Sequence, residues 1–374
     1  MKRVLFIVII AIFAATIVSG CAGQSLEESL SPSTQTTTTT TTEKPQEIST
    51  SEETSSPEPD TTSAPVQNTT VTLTFAGDIT LGRDDAMPYD VSFNNYYYLY
   101  GPDFFLEKVK PIFNASDLAI VNMEGTLTTQ DTRQDKQFAF RAPLEYVKVL
   151  TLGGVDAVTI ANNHSYDYGQ ISFEETLDTL HANDLIVFGN DLVEIVDVKG
   201  IKVGLVGAYA LEDAYSCLEQ MQENIAIARD EGAQIVVVFF HWGIERMYEP
   251  NSDQLMLGHA AVDAGADLVV GSHVHCIQTI EEYEDTNIVY GLGNFSFGGN
   301  WCPDDDDDLI YQHSFTVDSS GKIVESNHEV IPCLLTSSPP INNYQPIPAT
   351  GDEKLRIQDK LQSLSPTLTI NFSK

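Results

Sequence analysis

An α/β fold with strands buried on both faces is what this 374-residue chain predicts, and three observations carry that expectation. From Val71 onward, short apolar, β-branched runs alternate with longer segments of helical spacing. The runs are apolar throughout instead of alternating with polar residues, as strands covered on both sides require. Five of them stop abruptly at Asp, Glu, Asn or His.

The chain opens with MKRVLFIVIIAIFAATIVSGCAG. Two basic residues, an apolar stretch of about 14 residues and a short VSGC read as a secretory signal over residues 1–20. The VSG before Cys21 resembles the lipobox of bacterial lipoproteins, which implies cleavage there, lipid on the Cys21 thiol and attachment to the bacterial cell membrane. The alternative is an uncleaved anchor helix; in both cases the remainder lies outside the cytoplasm. Residues 21–70 are rich in Ser, Thr, Pro and Glu, with seven threonines in a row at Thr36–Thr42. Such a composition buries too little apolar surface to offset chain entropy, so a disordered tether is expected. About 45 flexible residues span roughly 40 Å root-mean-square. The formal charge of −35 makes nucleic acid a poor partner. Cys217, Cys276, Cys302 and Cys333 are not spaced as a thiolate metal site. Disulfides are open to them outside the cell, with no readable pairing.

Strands are expected near Val71–Ala76, Leu118–Val121, Ala157–Ala161, Ile201–Val206, Ile235–Phe240 and Leu268–Val270. A more antiparallel-looking series follows at Ile277–Glu282, Ile288–Gly291, Ile310–Val317 and Ile323–Ile331. Helical spacing occupies Phe173–Asp184 and the segment from Ser216 to Glu231. The main domain is expected over 71–345. A C-terminal helix and tail over 346–374 would include a surface helix at Gly351–Leu364 with apolar Leu355, Ile357, Leu361 and Leu364. Asp304–Asp308, five aspartates in a row, read as a solvated acidic loop, with Ca²⁺ collection as the alternative.

The polar endings share one chemistry. VTLTFAGD ends at Asp78, DLAIVNMEG at Asn122 and Glu124, and VDAVTIANNH at Asn163 and His164. VVVFFHWG ends at His241, and ADLVVGSHVH at His273 and His275. In an α/β sheet, ligands bind where the loops diverge at the carboxyl ends of strands. Each ending alone has a bland reading: a turn, a structural histidine, or a cap, with Asn162 expected to cap the following turn. Together they collect four of the eight histidines. His273 and His275, two apart in an extended chain, would point the same way. Imidazole, carboxylate and amide oxygen suit one or two ions of Mn, Fe or Zn. A pair sharing a carboxylate would lower the pKa of a bound water and clamp an in-line displacement.

The stretches GDITLGR (Gly77–Arg83), NMEGTLT (Asn122–Thr128), FRAP (Phe140–Pro143), ANNHSYDYG (Ala161–Gly169), HWGIE (His241–Glu245), DAGADLVVGSHVH (Asp263–His275) and YGLGNFSF (Tyr290–Phe297) resemble the CapA family, the bacterial poly-γ-glutamate capsule synthesis proteins. The resemblance implies a calcineurin-like metallophosphoesterase α-β-β-α sandwich, two facing sheets flanked by helices. It implies Asp78 and His275 on one metal, Glu124 as the bridge, and Asn163, His241 and His273 on the second. His164 would stand near the leaving group as general acid or charge stabiliser. Two departures stand out: Thr80 occupies the position where such phosphoesterases carry a metal-binding histidine, and the bridging acid is the longer Glu. Arg83 and Arg141, beside these motifs, are candidates for gripping an anionic substrate. The implied partners are an anionic polymer such as poly-γ-glutamate and membrane polymer synthase subunits. Three readings follow: a metal-dependent hydrolase in polymer synthesis, export or anchoring; a non-catalytic scaffold; or a surface phosphoesterase unrelated to capsule.

Overall fold

A computed structural model describes residues 68–211 and 213–374, which belong to one compact unit. The signal expected over 1–20, Cys21 and the tether up to residue 67 lie outside the described residues. The first sheet runs in the order β17 (Ile347–Pro348), β16 (Ile323–Leu334), β15 (Asp307–Val317), β1 (Thr69–Thr80), β3 (Leu118–Met123), β6 (Ala157–Thr159) and β7 (Ile186–Phe188). An eighth strand, β14 (Asn294–Phe297), also pairs with β1. The second sheet runs β12 (Ile280–Tyr283), β13 (Thr286–Val289), β11 (Leu268–Ser272), β10 (Ile235–His241), β9 (Ile201–Tyr209) and β8 (Val193–Val198). A ribbon of β2 (Arg83–Asp84), β5 (Phe140–Ala142) and β4 (Thr126–Leu127) completes the β structure.

The uniformly apolar runs have a packing cause. Leu73 and Phe75 of β1 face Leu205, Val237 and Phe239 of the second sheet in a shared core, where Phe75 and Phe239 meet edge-on at 6.2 Å. Their neighbours turn outward. Ala76, Val121 and Val158 pack under Leu106, Leu150 and Leu180 of flanking helices, and Val236, Val238 and Phe240 under Met221, Ile225 and Leu257. Helix, sheet, sheet, helix is therefore the layering, and the expected α-β-β-α sandwich is what the chain forms. The expected helices appear as Gln170–His181 and Ala214–Asp230, the second capped by Asp213 accepting from Tyr215 N and Ser216 N.

Parallel pairing positions the site. β1, β3, β6 and β7 run parallel, as do β9, β10, β11 and β13. Within each sheet these strands therefore end on one edge, bringing their polar C-terminal residues together.

The aspartate run departs from the solvated loop expected. Asp307 and Asp308 are buried and open β15. Asp307 takes a two-pronged contact from Arg356 at 2.8 and 2.5 Å, and Lys360 reaches Asp305 and Asp307 at 2.8 Å each. Arg356 and Lys360 lie one turn apart on the helix Gly351–Leu364, so they present to one side. That helix pairs with Asp305 and Asp307, whereas the buried Asp308 keeps one carboxylate oxygen without a hydrogen-bond partner. Cys217, Cys276, Cys302 and Cys333 are all free, three of them buried.

Candidate metal centre

Asp78 sits where β1 bulges between its pairings with β3, opposite Asn122 on one side and Asn294 of β14 on the other. Both its oxygens are engaged. Oδ1 accepts from Asn122 Nδ2 at 2.7 Å; Oδ2 accepts from His273 N at 3.1 Å and lies 3.4 Å from His275 Nδ1. Glu124 follows β3, its N–H donating to Ile79 O at 2.9 Å. Asn163 follows β6 and places Oδ1 2.8 Å from His241 Nε2, at the end of β10. The other face of His241 rests on Ser272 Oγ at 3.1 Å and Asn122 Nδ2 at 3.2 Å.

His273 and His275 do converge, but not through extended alternation. Both have left-handed backbone, φ 88° and 56°, in a turn beyond β11. Their rings lie 5.8 Å apart, tilted by 51°. Left-handed non-glycine residues are uncommon, and two within three positions mark a backbone held in place by its surroundings.

Three overlapping groups have ligand atoms within 4.8 Å of one another: Asp78, Glu124 and His275; Glu124, His241 and His273; and Glu245, His273 and His275. Five of the residues singled out from sequence as ligands are thus in one cluster, with Asn163 hydrogen-bonded to a member. Burial, and next the charge of Asp78, pushes the Glu124 carboxyl well above its usual range. Burial and then His273 hold His241 far below the ordinary imidazole value; burial and then His275 hold His273 at about 4. Burial would lower His275 too, but the Asp78 hydrogen bond and the Glu124 charge outweigh it and raise its value to about 9. His241 and His273, held neutral, are in the state a cation needs, whereas His275 would give up a proton on binding one. Glu124 Oε2 and His273 Nδ1 are buried with no hydrogen-bond partner, a costly condition that a bound ion would relieve. The donor set of carboxylates, imidazoles and an amide oxygen fits Mn, Fe or Zn.

His164 stands beside the cluster, its Nε2 3.6 Å from Glu124 Oε1. Its Nδ1 meets Asp167 Oδ2 at 2.7 Å, and Asp167 Oδ1 accepts from Lys136 at 2.6 Å. Burial lowers the His164 pKa, against the pull of Asp167. Asn162 caps as expected, its Oδ1 accepting from His164 N at 3.0 Å. The cleft above, about 180 Å³, is lined by His164, His275, Glu245, Asn294, Phe140 and Phe297 among others. Arg83 and Arg141 do not line it. They share a separate cavity of about 470 Å³, where Arg83 Nη1 donates to the carbonyls of Asp84, Asp85 and Met87, and Arg141 Nη1 to Gln130 O. Sequence reasoning gave no role to Glu245 or Lys136. Glu245 and Asp167 lie inside quoted motifs, whereas nothing in the sequence around Lys136 marks it.

The family model described as "Bacterial capsule synthesis protein PGA_cap" matches residues 72–299, a span holding every member of the cluster. Capsule biosynthesis protein CapA of Bacillus anthracis is 31% identical over 273 residues, covering 66% of this chain and 64% of that protein. PGA biosynthesis protein CapA of Bacillus subtilis (strain 168) is 30% identical over 264 residues, covering 65% and 67%. A probable polyglutamine synthesis accessory protein of Mycobacterium tuberculosis is 26% identical over 215 residues, covering 48% and 55%. The chain thus spans about two thirds of the two CapA proteins' length. A solved hypothetical protein from Thermus thermophilus aligns at 15% identity with a TM-score of 0.44, covering 70% of this chain and 99% of that one. With the family model matching well over half the chain, and with relatives of this similarity, the chain belongs to the bacterial capsule synthesis protein family of CapA.

Proposed function

We propose that this chain is a metal-dependent cleft, held outside the cytoplasm by lipid at Cys21, that acts in making, exporting or anchoring a poly-γ-glutamate-type polymer. The single observation carrying the metal reading is the convergence of Asp78, Glu124, His241, His273 and His275, with Glu124 Oε2 and His273 Nδ1 left without partners. The names of the CapA relatives support the polymer. The VSGC sequence supports the anchor.

Bound divalent metal would supply an activated water and polarise the bond to be broken. The chain's own residues do the rest. Asp78, Glu124 and His275 would hold one ion, and Glu124, Asn163, His241 and His273 a second. Asp167 meets His164 Nδ1 and leaves Nε2 directed at the cluster, where His164 in its protonated form would hand a proton to a leaving group. Lys136 holds Asp167 in place while donating to Asn163 O at 2.7 Å, so the proton-transfer residue and a ligand loop share one support.

One experiment tests these parts together, in cells and on purified protein. Wild type should carry one to two equivalents of Mn, Fe or Zn after reconstitution, and His241→Ala fewer. His164→Ala should keep fold and metal, yet slow turnover roughly 10²–10⁴-fold and lower polymer output. Cys21→Ala should remain a precursor or leave the membrane. Absence of stoichiometric metal would sink the metal reading. Normal polymer from His164→Ala but not from Asp78→Ala would replace the enzyme with a scaffold. Normal membrane retention and lipid labelling of Cys21→Ala would remove the anchor.

A further inference from the structure

One conspicuous carboxylate has no role in the account above. Glu245 follows His241 by four residues, between Gly243 (φ 88°) and Arg246 (φ 64°), so the chain doubles back just past the end of β10. Arg246 N donates to Val274 O at 2.7 Å, and Val274 is the residue between His273 and His275. Gln278 Nε2 closes the same seam on Met247 O at 2.7 Å. The two loops are stitched together. The stitch brings a Glu245 carboxylate oxygen and one nitrogen each of His273 and His275 within 4.8 Å of one another, on the wall of the cleft. No hydrogen bond or ion pair occupies the Glu245 side chain among the described residues.

Two further observations give that placement a ligand. His273 is 7% exposed, and its Nδ1 has no partner. Thr80 stands where a metal-binding histidine would be expected, and its own buried Oγ1 is also unpartnered. One ion position is thus a donor short. We propose that Glu245 is the missing donor at the ion position that His275 would hold, its carboxylate lying together with His275 and His273. This rests on the metal reading and extends it to a residue that neither spacing nor the resemblance assigned. The exchange has a chemical consequence: an oxygen donor with a negative charge replaces a neutral imidazole. That favours Mn²⁺ over Zn²⁺ at this position.

The test needs no substrate. Metal-free full chain is titrated with Mn²⁺ alone, and free Mn²⁺ is followed by its EPR signal, for wild type, Glu245→Gln and Asp304→Asn. Asp304 also lines the cleft, and its side chain is 81% exposed, so its loss changes local charge without removing a clustered donor. Glu245→Gln should weaken at least one Mn²⁺ equivalent by about tenfold or more. Asp304→Asn should shift binding by no more than about a few-fold, as for an exposed charge. Wild-type binding by Glu245→Gln would overturn the assignment while leaving the metal centre standing. Equal weakening in both variants would reduce Glu245 to a local charge and overturn it as well. Failure of wild type to bind Mn²⁺ would remove the metal reading on which the assignment rests.

Discussion

Glu175 shows how a side chain remote from any motif holds the site. From the helix Gln170–His181 it accepts from Thr129 N and Thr129 Oγ1 at 2.8 Å each, from Gln130 Nε2 at 3.2 Å, and from Thr128 Oγ1. Its neighbour Thr176 accepts from Leu127 N at 3.0 Å. Together they pin the segment leaving Glu124. These hydrogen bonds, Thr128 first, hold the Glu175 carboxyl at about 2, against 4.5 for a free one. A depressed folded value means stabilisation that is present above the unfolded value and lost as pH falls through the folded one. Water screens much of the effect at this half-open position, so Glu175→Gln should cost only about 1 kcal/mol at pH 7. It should also flatten the decline in stability between pH 4.5 and 2. Urea unfolding at pH values across and above that window reads both effects, and identical pH slopes for variant and wild type would refute the role. The residues legible in the sequence were those whose meaning is local: Asp78, Glu124, His241, His273 and His275 each end an apolar run. Glu175 and Lys136 act through partners 27 to 47 positions away, which no local pattern encodes.

At the level of elements, the decisive joint is β1 against β14. Gly-Asp after an apolar run has a turn as its bland reading, yet β1 continues through Asp78 to Thr80. The glycine is there for contact. A Cβ on Gly77 would lie 1.9 Å from Gly293 O, and Asp78 N donates to that same carbonyl at 3.3 Å. Backbone touches backbone directly beside a ligand. Gly77→Ala should push β14 away, costing about 1–3 kcal/mol. It should also weaken metal binding, although no donor changes. Thermal unfolding and Mn²⁺ titration of the variant check this, and wild-type values in both would show that the joint is soft. The ten strands expected from sequence are all present, because long β-branched runs have few alternatives. The two- and three-residue β2, β4, β5 and β17 were not foreseen, nor were β7, β8 and β14. β7 is three residues long, β8 is only half-buried along most of its length, and β14 carries Asn and Ser in its core-facing sequence NFSF.

The whole molecule closes through its last residues. The helix Gly351–Leu364 sends Ile357 and Leu361 into the core that lies between the two sheets, and Ile370 follows them. Beyond the helix, Phe372 bridges to Val330 of β16, and Ser365 Oγ accepts from Ile280 N of β12 at 2.8 Å. The tail therefore touches both sheets, one through β16 and the other through β12. Arg356 and Lys360 add the clamp on the start of β15, the strand that pairs with β1 up to Ala76, two residues before Asp78. The apolar and polar parts of this closure differ in weight. Arg356 is about half exposed, so its loss removes a partly screened contact and leaves Lys360 on Asp307. Ile357 and Leu361 are fully buried, and truncating each to alanine costs about 2–5 kcal/mol. Two such losses approach the roughly 5–15 kcal/mol that holds a typical domain together. The double variant Ile357→Ala, Leu361→Ala should therefore unfold cooperatively far below the wild-type temperature, and Arg356→Ala only slightly below it. Calorimetry on the two purified proteins measures the difference. If Arg356→Ala fell as far as the double variant, charge and not apolar burial would be what closes the fold, and the helix would be an electrostatic latch on β15.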